Sequence, residues 1–128
     1  MSGIFLISDY EVIAENLKHY AISLEVYKEL KEPILYTEGD VLIHCKEGTL
    51  LFNESKLKIL YVKKEFRNKG IGSNLLLVMV NYLIENNIFY SVALIPIDKL
   101  KFYEQNGFKE VKRFVNYIKV KRFWKNKK

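Results

Sequence analysis

The sequence predicts a single α/β (α+β) domain: a mixed, mostly antiparallel sheet of about six to seven strands with a parallel central pair, flanked by helices. Three observations predict it. Residues 57–62 are rich in β-formers, and residues 75–84 form an apolar run at helical spacing after a glycine-bearing turn. Residues 88–95 are almost continuously apolar, as a strand covered on both faces must be. A strand, a helix and a strand in that order make a crossover, so 57–62 and 88–95 should be parallel neighbours. The short β-like runs before 57 are separated by turn residues too few for a crossover, and they should pair antiparallel.

Taken in order, Ile4-Phe5-Leu6-Ile7 reads as a first short strand. Ser8 or Asp9 can cap a helix whose apolar positions Val12, Ile13, Leu17, Tyr20, Ala21, Leu24, Tyr27 and Leu30 recur at helical spacing. Pro33 stops it, and its length suggests a break at 21–23. Strands follow at 34–37, 41–45 and 49–52, with turns at Gly39-Asp40 and Glu47-Gly48. After strand 57–62 and the glycine turn, a helix runs from Ser73 to Glu85 and ends at Asn86-Asn87. Pro96 closes strand 88–95, and Asp98 caps a short helix that Asn106-Gly107 terminates. Two last strands occupy 108–113 and 114–121, and 122–128 reads as a flexible basic tail.

Composition narrows the class. A chain of 128 residues has room for one core, so 1–128 is read as one domain, and 49% hydrophobic residues exclude a disordered chain. The N-terminus lacks the basic segment of a signal peptide, and residues 75–84 are too short to span a bilayer. Cys45 is the only cysteine, which suits a reducing cytoplasm, and His19 and His44 lack metal-ligand spacing, so no metal is expected. The net charge of +6 is unevenly placed: eight of the 21 basic residues lie in 112–128, leaving 13 against 15 acidic residues in 1–111. A slightly acidic body makes nucleic acid a poor partner, although a small basic nucleic-acid-binding domain remains a lesser alternative.

The hexapeptide Arg67-Asn68-Lys69-Gly70-Ile71-Gly72 carries the chemistry. Strand, glycine turn and helix N-terminus direct several backbone N–H groups at one anion. Gly70 and Gly72 allow positive φ and close approach of the backbone to a ligand, and Arg67 and Lys69 add charge at the rim. A Rossmann fingerprint is disfavoured, because it needs three glycines early in the chain.

Residues 60–76, which include Leu60, Tyr61, Val62, Ser73 and Asn74, resemble the acetyl-CoA signature (Q/R)-x-x-G-x-(G/A) of the GNAT superfamily, the GCN5-related N-acetyltransferases. Phe102-Tyr103-Glu104-Gln105-Asn106-Gly107-Phe108 resembles that family's F-Y-x-x-x-G-F segment. The resemblance implies a central pair splayed around the cofactor and transfer of an acetyl group from acetyl-CoA to a primary amine through a ternary complex. It implies that the N–H groups of Asn68, Lys69, Gly70, Ile71, Gly72, Ser73 and Asn74 hold the pyrophosphate, and that Leu60, Tyr61 and Val62 pair with the pantetheine arm. Lys63, Lys64, Lys99 and Lys101 are candidates for its 3′-phosphate. An N–H near Val62 would steady the oxyanion, and Tyr103 would protonate the leaving thiolate. Where several relatives carry a glutamate before the glycine loop, this chain has Lys56 and Lys58, so Glu54 is the nearest carboxylate to serve as base, with His44 a further candidate. The asparagine that many members place after residues 88–95 is absent too. The acceptor would be a protein lysine, a protein N-terminus or a small cationic amine, favoured by acidic residues between Glu11 and Asp40. Homodimerisation through the last strands is implied by analogy of fold. A catalytically silent CoA-binding sensor or interaction protein is the alternative.

Overall fold

The computed structural model describes residues 10–13 and 37–124. Seven strands form one sheet in the order β1-β2-β3-β4-β5-β7-β6. They are β1 (Glu11–Ile13), β2 (Val41–Cys45), β3 (Gly48–Asn53), β4 (Lys56–Val62), β5 (Tyr90–Pro96), β6 (Lys109–Arg113) and β7 (Tyr117–Phe123). Helix α1 (Ile71–Glu85) joins β4 to β5, and the short α2 (Leu100–Gln105) follows β5. Only β4 and β5 are parallel; every other neighbouring pair is antiparallel. The mixed sheet with a parallel central pair is therefore present.

Helix α1 buries Ile71, Gly72, Leu75, Leu76, Met79, Val80 and Leu83, a stripe at helical spacing. That stripe shares the main core with Val41, Ile43, Leu50, Phe52 and Leu57 from the sheet, and with Tyr103 and Phe108 beyond β5. A smaller cluster of Ile13, Leu42 and Leu51, joined by Ile59, lies apart from it. None of the described helices is long and apolar enough to cross a membrane.

The structure corrects the expectations at several boundaries. Val12 and Ile13 were expected in a helix, yet they pair with Ile43 and Leu42 in β1. Ladder pairing at the sheet edge outweighs a spacing that suits either element. The strand expected at 4–7, the rest of that helix and most of the strand at 34–37 lie outside the described residues. Asp98 does not cap α2; a 3-10 turn at Ile97–Lys99 leads into the helix with no side-chain cap. The basic tail cannot begin at Arg122, because β7 continues through Phe123 and the Trp124 backbone N–H donates to the carbonyl of Phe89 at 3.1 Å. The Trp124 indole N–H also donates to the carbonyl of Ile88, again at 3.1 Å. Residues 125–128 lie outside the description.

One irregularity in β4 shapes the centre of the sheet. Phe52 pairs with Leu57 but Leu51 pairs with Ile59, so Lys58 is an extra residue, a β-bulge. Burial records the same break: Leu57 lies in the main core, Ile59 in the smaller cluster, and Leu60 and Val62 pack against the main core again. A bulge exchanges which residues aim their backbone groups at each neighbour. Before it, the carbonyl of Ser55 accepts from Val92 N–H across the β5 side at 2.8 Å. After it, Lys63 N–H donates to Glu47 on the β3 side at 2.9 Å. Alternation then turns Ile59 and Tyr61 toward β3, and Leu60 and Val62 toward β5. Parallel pairing is confined to Lys56 with Val92 and Leu57 with Ala93, although the strands run on to Val62 and Pro96. Beyond Leu57 the two strands part.

Candidate functional site

The mouth of that gap is built by the chain leaving β4. After Lys63, a 3-10 turn at Lys64–Phe66 reverses direction. Asn68 at φ 62° and Gly70 at φ 82° then both adopt the left-handed region. Gly70 is the N-cap of α1 and no side chain caps the helix, so the first-turn N–H groups keep their donors. Asn74 is the residue whose N–H turns back to the Gly70 carbonyl, at 3.0 Å. The first turn holds no acidic residue either, which leaves the positive end of the helix dipole uncompensated. Local geometry thus suits an anion at Ile71, Gly72 and Ser73.

Gly72 does not use the positive φ expected of it, and packing gives it a further reason to be a glycine. Its φ is not positive; a Cβ there would stand 3.0 Å from Cζ of Phe102 and 3.7 Å from Cγ2 of Val62. The missing side chain lets α2 pack against the start of α1. The two motifs are therefore in contact, a packing role that the glycine spacing alone did not disclose.

Arg67 and Lys69 are exposed, but their cations lie back on aromatic neighbours. Arg67 Nε donates to the Val62 carbonyl at 2.9 Å, and its guanidinium sits 5.8 Å from the Tyr61 ring centre. The ammonium of Lys69 lies 5.8 Å from the ring centre of Phe66. Arg67 thereby engages the carbonyl that alternation turns toward the gap.

Tyr103 projects from α2 into the main core and is 7% exposed. Its ring meets Phe102 and Phe108 edge-on, at 5.2 and 5.4 Å between centres. Burial pushes the phenol up to about 12. Gly107, at φ 88°, ends α2, and its bare Cα leaves room for the side chain of Arg122, whose Nε would stand 2.9 Å from a Cβ. The start of α1 follows β4 and the helix of Tyr103 follows β5, so both groups stand at the carboxyl ends of the parting strands, where open parallel sheets hold their ligands.

The candidate bases are not brought to this place. Glu54 occupies the exposed turn between β3 and β4, in the left-handed region at φ 49°. It precedes β4, whose length of seven residues separates it from Val62 by roughly 20 Å. His44 lies on β2, which β3 separates from β4. Cys45 is buried, and burial raises its thiol above the ordinary range. Lys58, noted in the sequence only for not being a carboxylate, has a partner. Its ammonium meets Asp40 at 2.8 and 3.1 Å. The failed alternation of Leu57-Lys58-Ile59-Leu60 was the signal that could have exposed the bulge.

Comparison with known proteins agrees with this fold. A family model described as an acetyltransferase (GNAT) domain matches residues 26–110. Among solved structures, Tetrahymena GCN5 superposes with a TM-score of 0.74 at 13% identity, over 92% of this chain and 97% of that one. The ribosomal-protein-S18-alanine N-acetyltransferase of Escherichia coli gives 0.71 at 11% identity, over 90% and 94%. PaiA N-acetyltransferase of Thermoplasma acidophilum, solved in complex with coenzyme A, gives 0.66 at 16% identity, over 91% and 99%. At such identities these likenesses speak for the fold. No curated protein sequence matches.

Proposed function

Because the chain belongs to the GNAT acetyltransferase family, we propose that it moves an acetyl group from acetyl-CoA to a primary amine by direct attack, with both substrates bound at once. The observation that carries this reading is the parting of β4 from β5 beside the uncapped, glycine-led N-terminus of α1. Acetyl-CoA supplies an acyl group activated as a thioester. The N–H groups from Asn68 to Ser73 bind its pyrophosphate, that of Asn74 being engaged by the Gly70 carbonyl, and the left-handed turns at Asn68 and Gly70 gather those donors at the helix end. Leu60 and Val62 present backbone groups to the gap as an unpaired strand edge, which suits an amide-bearing arm laid alongside β4. Arg67 must release the Val62 carbonyl before that acceptor is available to the arm, and its guanidinium is then free to face the pyrophosphate.

Tyr103 serves as a hydrogen-bond donor to sulfur. Burial raises the phenol to about 12, so Tyr103 holds its proton at neutral pH and full transfer of that proton is disfavoured. A hydrogen bond to the developing thiolate needs no such transfer and still draws charge from it. Glu54 stands too far along β4 to deprotonate the amine, so a water chain leading out of the gap takes that role. The acceptor is a cationic amine. Asp40 does not help to attract it, because its charge is matched by Lys58.

Calorimetry with acetyl-CoA and CoA, and thiol release with a panel of peptide amines, polyamines and aminoglycosides, test the reading. Micromolar binding and turnover of at least one amine are the expected result. Failure to bind either cofactor form would overturn it; binding without turnover of any amine would favour the silent sensor.

A further inference from the structure

The bulge in β4 needs something to hold it, because the apolar run that follows it does not. Residues Ile59, Leu60, Tyr61 and Val62 are all apolar, so shifting them by one position exchanges one apolar set for another on each face. In the register without the bulge, Lys58 would pair with Leu51 in place of Ile59. It would take the position that Ile59 fills beside Ile13, Leu42 and Leu51, and bury an ammonium among apolar side chains. In the observed register Ile59 fills that cluster and Lys58 reaches a polar corner instead.

That corner is built around Asp40, whose side chain is fully buried, while that of Lys58 is 16% exposed. The carboxylate accepts from Lys58 Nζ at 2.8 and 3.1 Å and from Asn53 Nδ2 at 3.0 Å. It also accepts from the Thr37 N–H at 2.9 Å and the Thr37 hydroxyl at 3.1 Å. Asn53 Nδ2 donates as well to the carbonyl of Glu38 at 2.9 Å, which ties the corner to the turn before β2. A buried carboxylate with these donors leaves a strong preference for a cation at one point, and Lys58 is the residue that meets it.

We infer that Asp40 and Lys58 form a positioning pair: their ion pair selects the bulged register of β4, and through it aims Leu60 and Val62 into the gap. The pair touches neither cofactor nor acceptor. It acts on the strand that does, and its effect on binding rests on the functional reading above.

The test uses the full chain carrying D40N and K58M together, which removes both charges and so leaves no buried ion unpaired. Should that variant not fold, D40N alone takes its place. Lys58→Arg, which keeps the cation, is the rescue control. Hydrogen exchange by NMR reads the register without any ligand. In the wild-type chain the amides of Ile59 and Tyr61 exchange slowly against β3, and those of Leu60 and Val62 exchange faster. The variant should invert this order, and its dissociation constant for CoA should rise about tenfold, while Lys58→Arg keeps both properties. A folded variant that retains the wild-type exchange order overturns the inference, whatever its affinity. An inverted order with unchanged CoA affinity overturns the link between bulge and gap. If the wild-type chain itself does not bind CoA, the functional reading fails, and the exchange order still decides what the pair does.

Discussion

At the scale of single residues, Tyr103 and Gly72 show why identity and environment must be read together. A phenol held at about 12 stays protonated through neutral pH, so it donates a hydrogen bond under any assay condition between pH 6 and 10. Tyr103→Phe should lower kcat about 10- to 100-fold, the worth of one hydrogen bond to a charged group. The dissociation constant for CoA should stay within about twofold, since the backbone carries that binding. The limb of the pH–rate profile between 6 and 10 should be the same in both proteins; a limb that vanishes with the hydroxyl would make Tyr103 the titrating acid. Its raised pKa also bears on stability. The contribution is complete below pH 10 and is lost as pH rises toward 12, because the unfolded chain ionises first. Gly72 sits inside a helix, where alanine would gain about 1 kcal/mol of propensity. Its Cβ would meet Phe102 at 3.0 Å, and overpacking costs about 1–3 kcal/mol. Gly72→Ala should therefore lower stability by up to about 2 kcal/mol in a thermal melt, and adding Phe102→Leu should recover most of it.

Among the elements, β3 and β4 approach each other closely where the loop departs. A Cβ on Gly48 would lie 2.4 Å from the Tyr61 carbonyl oxygen and 3.1 Å from the Val62 Cα, and both are backbone atoms that cannot rotate away. Gly48→Ala should cost about 3 kcal/mol or more, and lower the melting temperature by roughly ten degrees. An unchanged melting curve would mean that β3 does not approach β4 as closely as described. Helix α1 presents the opposite case, since its N-terminus is left without a cap. Gly70→Ala places a Cβ on a residue at φ 82°, a strain of about 1–2 kcal/mol. Because the same turn gathers the N–H donors, CoA affinity should fall alongside stability, and calorimetry and melting together would separate this from a purely structural loss.

For the molecule as a whole, the buried carboxylate of Asp40 contributes to the response to acid. Burial alone would raise the Asp40 carboxyl, but Lys58 and the hydrogen bonds from Thr37 and Asn53 bring it below its ordinary value. Stability from this group is therefore present above about pH 4 and lost as pH falls through its lowered folded-state value. Lys58→Met removes one of the groups that lowers it, so the acid unfolding midpoint should move to higher pH, as circular dichroism across pH 2–6 would register. The element order from residue 41 onward, the parallel pair and the glycine turn before α1 were legible from 57–62, 88–95 and the spacing of Gly70, because β-former enrichment, helical spacing and glycine are local signals. Boundaries at Val12 and Arg122 were not, since each depends on a partner far along the chain, and at Asp98 a local 3-10 turn rather than a side-chain cap leads into the helix. The same distinction governs the site. Sequence by itself determined the family and the pieces of the glycine loop. Only the tertiary structure decided that Gly72 serves Phe102, that Glu54 lies at the wrong end of β4, and that Lys58 is a bulge residue bound to Asp40. The first and last of those facts join residues 30 and 18 positions apart, and packing between such distant segments has no period for a sequence to display.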